Sequence, residues 1–168
     1  MGGHRHPCLF RRATMLRLSF NMVKISPPEA YFPADPRKKD LAMTPQDSSR
    51  RTEDLCRRAP VVPVLVIDDA AHAEALARAL VAGGLPALEV TLRTPAALDA
   101  IRAMAQVPGG VVGAGTLLTP EDVRAAKAAG AQFGVSPGAT DVLLQACEDE
   151  DLPLLPGAAT ATEAMRLL

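Results

Sequence analysis

The sequence predicts an α/β fold in which helices cover a parallel β-sheet. The main reason is that short apolar runs alternate five times with helical patterns between residue 60 and the end of the 168-residue chain. Strands and helices that alternate in units of this length build parallel sheets, because two parallel strands need a crossover connection. In addition, polar residues gather where the predicted strands end, and parallel α/β folds place their sites there.

Five strands are predicted from these apolar runs. They cover residues 61–67, 87–92, 111–116, 133–136 and 154–157. Each is followed by a predicted helix, and a further short helix over residues 52–59 precedes the first strand.

The helix boundaries are predicted from capping residues. Asp68-Asp69 is suited to cap the first helix after a strand, and Gly83-Gly84 stops it. Thr94-Pro95 supplies an N-cap and a first-turn proline. Thr119 begins a capping-box pattern, and Gly130 ends that helix. The predicted helices after the second to fifth strands cover residues 96–104, 119–130, 140–150 and 160–168.

Glu89 is the most informative single residue, because it lies inside the apolar run 87–92. Side chains alternate between the faces of a strand, so Glu89 shares one face with Thr91 and Arg93 while apolar residues occupy the other. Burying a carboxylate is unfavourable unless the group is paired or used. From this strand alone, two interpretations stay open: a buried ion pair or strand-end cap, and the wall of an active site.

The predicted strands fit two architectures. Five strands would complete an open doubly wound sheet, whereas a (β/α)8 barrel needs three more. An inward-facing Glu89 suits the interior of a barrel better than a sheet face covered by helices. Gly113-Ala-Gly115 does not continue as a dinucleotide fingerprint, because Leu118 stands where a third glycine belongs, and no Gly-Lys-Ser/Thr phosphate loop occurs.

Five short motifs are informative as an ordered set. They are Val61-Val62-Pro63-Val64, Leu88-Glu89-Val90-Thr91-Leu92-Arg93-Thr94, Gly113-Ala114-Gly115-Thr116, Ser136-Pro137-Gly138 and Leu154-Leu155-Pro156-Gly157. In this order they resemble the 2-keto-3-deoxy-6-phosphogluconate (KDPG) aldolases, a family that includes 4-hydroxy-2-oxoglutarate (KHG) aldolases. The resemblance runs from about residue 55 to the last residue, and the Leu-Glu-Val-Thr-Leu-Arg-Thr run is its most specific part.

The resemblance implies a fold, an assembly and an activity. The fold would be a partial (β/α)8 TIM barrel, with only the first five βα units in this chain, and the complete protein would be a homotrimer. The activity would be that of a class I aldolase, which cleaves KDPG to pyruvate and glyceraldehyde 3-phosphate through a Schiff base on lysine. A bifunctional member would also cleave KHG to pyruvate and glyoxylate.

The resemblance also assigns four site residues. Glu89 would be the general acid or base, and a carboxylate shielded from water can have its pKa raised toward working pH. Arg93 would bind the substrate carboxylate through a planar fork of donors. Thr116 would hydrogen-bond the substrate, and Pro137 would line the pocket. From the residues alone, Thr116 could equally be a strand-end hydroxyl that completes a turn, and Pro137 a turn former.

The Schiff-base lysine of the family lies on the sixth strand, in a Phe-Lys-Phe-Phe-Pro-Ala type of motif, which we expect to follow Leu168. Lys24, Lys38 and Lys39 stand in an irregular segment, and Lys127 is predicted on an outer helix, roughly 12 Å toward the far end of the barrel. A second class of function therefore stays open, an inactive half-barrel fragment or interaction piece. Another phosphate-binding barrel, such as an isomerase, is disfavoured by the motif around Glu89.

Residues 1–42 differ in composition from the rest of the chain. They carry eight Lys and Arg against three Asp and Glu, a net charge of +5, whereas residues 43–168 carry ten against sixteen, a net charge of −6. We expect this basic leader to be irregular, and favour its being sequence upstream of a true start at Met43. A transit peptide and a nucleic-acid-binding arm are the alternatives; the arm is the least favoured, because the charges are scattered.

The resemblance implies a small-molecule keto acid substrate and no cofactor, and the remaining features predict a cytoplasmic protein. No apolar run approaches the roughly 20 residues that cross a membrane. Cys8, Cys56 and Cys147 form neither a disulfide framework nor a paired metal motif, which fits a reducing compartment. His4 and His6 have no third ligand nearby, so no metal site is predicted, and no nucleic-acid partner is expected.

Overall fold

The computed structural model describes residues 43–167, so the predicted leader, residues 1–42, lies outside the described residues. The described part contains one five-stranded sheet in which every neighbouring pair is parallel. Its strands are β1 (Val64–Leu65), β2 (Ala87–Thr91), β3 (Val111–Gly115), β4 (Phe133–Ser136) and β5 (Leu154–Pro156).

A helix precedes the first strand, and a helix follows each of the five strands. They are α1 (Pro45–Arg57), α2 (Ala73–Ala82), α3 (Ala97–Met104), α4 (Pro120–Ala128), α5 (Asp141–Asp149) and α6 (Ala161–Arg166). Among residues 43–167, no helix combines the length and the apolar character that crossing a membrane requires.

The strand order decides between the two architectures that the sequence left open. The strands lie side by side in chain order, β1-β2-β3-β4-β5. A doubly wound sheet reverses direction at a switch point, whereas a barrel adds each strand to the same edge. The described residues therefore form the first five βα units of a (β/α)8 barrel, and the predicted fold class is confirmed.

The first strand is shorter than predicted. Residues 61–67 read as one apolar run, but only Val64 and Leu65 pair with β2 as a strand. The Pro63 carbonyl accepts a hydrogen bond from the Glu89 N–H at 3.0 Å, which extends the pairing by one bond. β1 is one of the two edge strands of the described sheet, and Val64 is 58% exposed.

One predicted helix cap is wrong. Thr94 does not cap α3, which begins after Ala96 without a side-chain cap. The Thr94 hydroxyl instead donates to the Ile67 carbonyl at 2.5 Å, and so links the loops that follow β1 and β2. In contrast, the capping box of α4 is confirmed, because the Thr119 hydroxyl accepts from the Asp122 N–H and the Asp122 carboxylate accepts from the Thr119 N–H.

Helix α1 is longer than predicted and anchors at the edge of the sheet that carries β5. It begins at Pro45 rather than at residue 52, because the Thr44 side chain caps it by accepting from the Asp47 N–H. Arg51 donates to the Asp151 carboxylate at 2.5 Å, just before β5. Leu55 packs with Ala87 and Phe133, the first residues of β2 and β4, at the amino ends of the strands.

The two faces of the sheet carry different kinds of side chain. Leu88 and Val90 point outward into a core shared with the helices. We call the opposite side the inner face; on β2 it carries Ala87, Glu89 and Thr91. All five residues of β2 are buried, and alternate residues face opposite sides of the sheet, so the predicted alternation along this strand is confirmed.

We expect Gly134→Ala to destabilise the protein by overpacking the outer core. A Cβ atom at Gly134 would lie 2.5 Å from Leu117 Cδ1 and 3.1 Å from Leu154 Cδ1. Overpacking a well-filled core costs about 1–3 kcal/mol, which urea unfolding measures. Gly138→Ala is the matched control, because a Cβ atom there meets nothing within 4 Å. Equal stability of the two variants would contradict the packing described for β4.

Candidate functional site at the carboxyl ends of the strands

Glu89 carries a buried carboxyl group on the inner face of β2. The residue is 8% exposed, and this burial is the larger effect on its proton affinity. Desolvation raises the pKa of the Glu89 carboxyl above its ordinary value, and the positive charge of Arg93 lowers it by less. The protonated form is therefore favoured compared with a glutamate in water.

Glu89 and Arg93 do not form the buried ion pair that would have explained the burial of the Glu89 carboxylate. Among residues 43–167, the Glu89 carboxyl accepts no hydrogen bond and forms no ion pair. Arg93 lies just beyond the end of β2 and is exposed, so it acts on Glu89 as a charge at a distance. The geometry therefore favours the wall of a site over a structural ion pair, and the catalytic role of Glu89 stays a prediction.

Space for the Glu89 side chain comes from a glycine on the neighbouring strand. A Cβ atom at Gly115 would lie 2.0 Å from Glu89 Oε1 and 2.7 Å from its Cδ. Two residues earlier, a Cβ atom at Gly113 would lie 2.5 Å from three ring atoms of Phe133. On the inner face of β3, the Glu89 side chain thus lies over Gly115, near the carboxyl end of the strand. The Phe133 ring lies over Gly113, nearer the amino end.

Sequence reasoning missed this role of the two glycines. In the sequence, Gly113-Ala-Gly115 fails as a dinucleotide-binding motif and contributes to the family resemblance, but neither observation predicts that the two glycines make room for side chains. The available sign was their spacing, since residues two apart on a strand share a face and a strand glycine often marks a close approach. The sequence does not show which side chain approaches each glycine. For Gly115 this depends on the strand register, which places β3 beside β2.

Thr116 follows Gly115 directly and has a strained backbone. Its φ is 64°, in the left-handed region that a β-branched residue rarely adopts. Such a conformation costs about 1–3 kcal/mol, and it persists where the surrounding structure imposes it, often at functional sites. The structure therefore places the predicted substrate-binding Thr116, half-buried, at the end of β3 beside the space that Glu89 occupies.

Pro137 is exposed in the loop that follows β4. This loop is held by the Ser136 hydroxyl, which donates to the Gly138 carbonyl at 2.7 Å. It also contacts the end of β5, where the Gly157 N–H donates to the Ser136 carbonyl at 2.8 Å. A Cβ atom at Gly157 would lie 2.3 Å from the Pro137 carbonyl oxygen, so the two strand ends approach as backbones.

The predicted site residues converge at one end of the sheet. Glu89 and Arg93 belong to β2 and its end, Thr116 follows β3, and Pro137 follows β4. β3 lies between β2 and β4, and neighbouring parallel strands lie about 4.8 Å apart. A small polar molecule at this end would therefore be within reach of all three strand ends.

Lys127 lies at the opposite end, as its helix position predicts. Its Nζ donates to the Asp151 carbonyl at 2.8 Å, at the start of the segment leading into β5. It borders a cavity of about 450 Å³ with Leu55 of α1 and with Val111 and Phe133, the first residues of β3 and β4. Its amine is therefore remote from Glu89. In the same described range, no three His, Cys, Asp or Glu side chains are grouped as metal ligands.

We expect Glu89→Gln to stabilise the protein at neutral pH. The folded state raises the pKa of the Glu89 carboxyl above its value in the unfolded chain. The free energy of unfolding therefore falls as pH rises from the ordinary glutamate pKa of about 4.3 through the raised pKa of the folded state, and it stays lower at higher pH. The neutral amide removes this loss, so the variant should unfold at higher urea concentration than the wild type at pH 7, and at a similar one near pH 4.

This comparison isolates Glu89 although burial also raises the pKa of Glu148. Glu148 is present in both proteins, so its contribution cancels when they are compared at each pH. A Glu89→Gln protein that is less stable than the wild type at pH 7 would show instead that Glu89 and Arg93 form a stabilising pair.

Known proteins resemble this chain over the same region that carries the site. A family model described as KDPG and KHG aldolase matches residues 52–168. The KHG/KDPG aldolase of Escherichia coli K12 is 51% identical over 114 residues, which cover 67% of this chain and 54% of that relative. The chain spans about half the length of the curated relatives it matches.

Solved structures show the same similarity. The KDPG aldolase of Zymomonas mobilis ZM4, crystallised with 3-phosphoglycerate, is 52% identical with a TM-score of 0.67, covering 69% of this chain and 56% of that one. The KDPG aldolase of Legionella pneumophila, with pyruvate captured as a covalent carbinolamine, is 40% identical with a TM-score of 0.65, covering 74% of this chain and 58% of that one. Sequence and fold agree, and the chain belongs to the KDPG and KHG aldolase family.

Proposed function

We propose that this chain supplies the first five βα units of a class I aldolase that cleaves KDPG to pyruvate and glyceraldehyde 3-phosphate. The observation that carries the proposal is Glu89, a buried carboxyl group with a raised pKa and no partner among the described residues. A group of this kind at the carboxyl ends of parallel strands is suited to proton transfer.

The proposed chemistry uses an amine, an acid–base group and a carboxylate-binding group. A lysine amine attacks the keto carbon of the substrate, and water leaves through a carbinolamine to form an iminium ion. Loss of the proton from the C4 hydroxyl then breaks the C3–C4 bond, and the bond's electron pair forms an enamine. Protonation of the enamine at C3 and hydrolysis of the resulting iminium release pyruvate and restore the amine.

Glu89 is the proposed proton carrier in these steps. It would give the proton that makes water the leaving group from the carbinolamine, and accept or return protons as the enamine forms and is consumed. A raised pKa favours this, since a carboxyl group that exchanges protons near working pH serves both as acid and as base. Burial also keeps competing water away from the carboxyl group.

The other three residues are proposed to bind the substrate. Arg93 is exposed beyond the end of β2, and its guanidinium would bind the substrate carboxylate with two parallel hydrogen bonds. Thr116 would donate a hydrogen bond from the end of β3, and Pro137 would border the pocket from the end of β4. Their placement on adjacent strands supports these roles.

A second substrate of the same chemical class is favoured by one relative. The Escherichia coli protein carries the name KHG/KDPG aldolase and is 51% identical to this chain. KHG has the same keto acid and the same 4-hydroxyl group as KDPG, so identical proton transfers would release pyruvate and glyoxylate. Assaying both substrates with one completed protein tests whether the activity is bifunctional.

The homotrimer stays a prediction, which light scattering on the complete protein would check.

We expect the 168-residue chain to form no borohydride-trapped pyruvate adduct. The Lys127 amine lies at the far end of the barrel, hydrogen-bonded to the Asp151 carbonyl. A chimera in which residues 43–168 are continued by the matching C-terminal half of the Escherichia coli relative should gain one adduct, on a lysine of the added half. Mass spectrometry of tryptic peptides identifies the site.

Lys127→Arg is the matched control and should change neither result. An adduct on Lys127 would contradict the proposed division of the site between the two halves. A folded chimera that binds pyruvate covalently but cleaves neither substrate would favour the alternative interpretation, an inactive half-barrel.

In the active chimera, we expect Glu89→Gln and Arg93→Ala to have opposite kinetic effects. Removing the proton carrier should lower kcat by about 10²–10⁴-fold, with a much smaller change in KM. Removing the guanidinium should chiefly raise KM, because a charge-assisted pair contributes about 1.5–3 kcal/mol to binding. Single-turnover rates separate chemistry from binding, and thermal unfolding of each variant corrects for loss of folded protein. Normal turnover by Glu89→Gln would remove the main support for the proposal.

A further inference from the structure

Gly115 is the last residue of strand β3, and glycine is unfavourable within strands unless the structure requires it. Glycine weakens a strand because it adds backbone entropy to the unfolded state and contributes no side chain to packing. A positive φ would explain its presence, but the backbone of Gly115 is not in the left-handed region, unlike that of Thr116 directly after it. Backbone conformation therefore permits alanine at this position.

An alanine at this position would instead force the Glu89 side chain to move. A Cβ atom at Gly115 would lie 2.0 Å from Glu89 Oε1, 2.7 Å from Cδ and 2.9 Å from Cγ. These are the three closest atoms, and all belong to the outer part of one side chain. In the strand register Glu89 pairs with Gly113 and Thr91 with Gly115, so the glutamate side chain leans along the sheet toward the carboxyl ends.

We infer that Gly115 is a positioning residue of the acid–base site: its missing side chain provides the space that holds the Glu89 carboxylate against β3 at the carboxyl ends of the strands. The steric part of this inference follows from the geometry alone, and its catalytic consequence rests on the proposed function. The charge that acts on Glu89 is Arg93 on its own chain segment. The neighbouring strands β1 and β3, Val64–Leu65 and Val111–Gly115, contribute no titratable side chain.

The steric part is tested in the 168-residue chain by a double-mutant cycle. Gly115→Ala should lower the melting temperature, and the same substitution in a Glu89→Ala background should lower it far less, because the colliding carboxylate is gone. Gly134→Ala is the matched control: it inserts an equivalent methyl group on the outer face, against Leu117, and its effect should be the same in both backgrounds. Equal losses for Gly115→Ala in both backgrounds would overturn the inference.

A second readout follows the Glu89 carboxyl itself. Carbon-13 NMR titration of the side chain should show that Gly115→Ala moves the pKa of Glu89 down toward its ordinary value, because the displaced carboxyl group loses part of its burial. Gly134→Ala should leave that titration unchanged. A Gly115→Ala protein whose Glu89 titrates as in the wild type would show that the space above Gly115 does not hold the group.

The catalytic consequence is tested in the chimera completed with the Escherichia coli half. Misplacing a catalytic group by about 1 Å can cost about 10²-fold in rate, so Gly115→Ala should lower kcat by about that factor and shift the pH–rate profile, with KM nearly unchanged. Gly134→Ala should lower the folded fraction only. An unshifted profile with normal kcat in Gly115→Ala would overturn the positioning role.

The two proposals fail in different ways. If Glu89→Gln turns over normally, the proposed acid–base role fails, whatever the thermal cycle shows. If Glu89→Gln is inactive but Gly115→Ala retains normal kcat and pH dependence, the acid–base role stands and the positioning role of Gly115 fails.

Discussion

The burial of one carboxyl group determines much of the arrangement on the inner face. A buried carboxylate without a partner is unfavourable, and the fold lowers this cost by favouring the protonated form rather than by supplying a counter-ion. It also needs room, and on β3 a residue that lacks a side chain provides that room. Gly115 is that residue, so a glycine on β3 and a glutamate on β2 form one unit.

A second glycine of β3 makes room for a neighbouring side chain nearer the amino ends of the strands. Phe133 of β4 fills the space that Gly113 leaves open, and below it Leu55 of α1 completes an apolar layer with Ala87. This apolar layer lies on the amino-terminal side of Glu89, which is consistent with desolvation as the largest influence on the pKa of its carboxyl group. Helix α1 thus contributes to the environment of the site although none of its side chains is predicted to meet substrate.

The sequence predicted those features that depend on local pattern, and it failed where distant segments compete. The alternation of side chains along β2 and the capping box at Thr119 are local features, and the sequence predicts both correctly. Thr94 had the right local pattern for a helix cap, but the Ile67 carbonyl lies within reach and takes its hydroxyl proton. The role of Gly115 could not be predicted, because it depends on the register between β2 and β3. In that register Thr91 pairs with Gly115, 24 residues further along the chain.

The strain at Thr116 is best understood together with the glycine before it. Leu117 is fully buried in the outer core, and its N–H donates to the Val135 carbonyl at 3.0 Å, so the chain is fixed one residue beyond Thr116. Gly115 is fixed on the other side by the ladder with β2. The turn between these two anchors falls on Thr116, whose left-handed backbone absorbs the change of direction. A glycine would relieve this strain but would remove the hydroxyl group at the end of β3. The cost of keeping threonine there is consistent with a role for that hydroxyl group in the site.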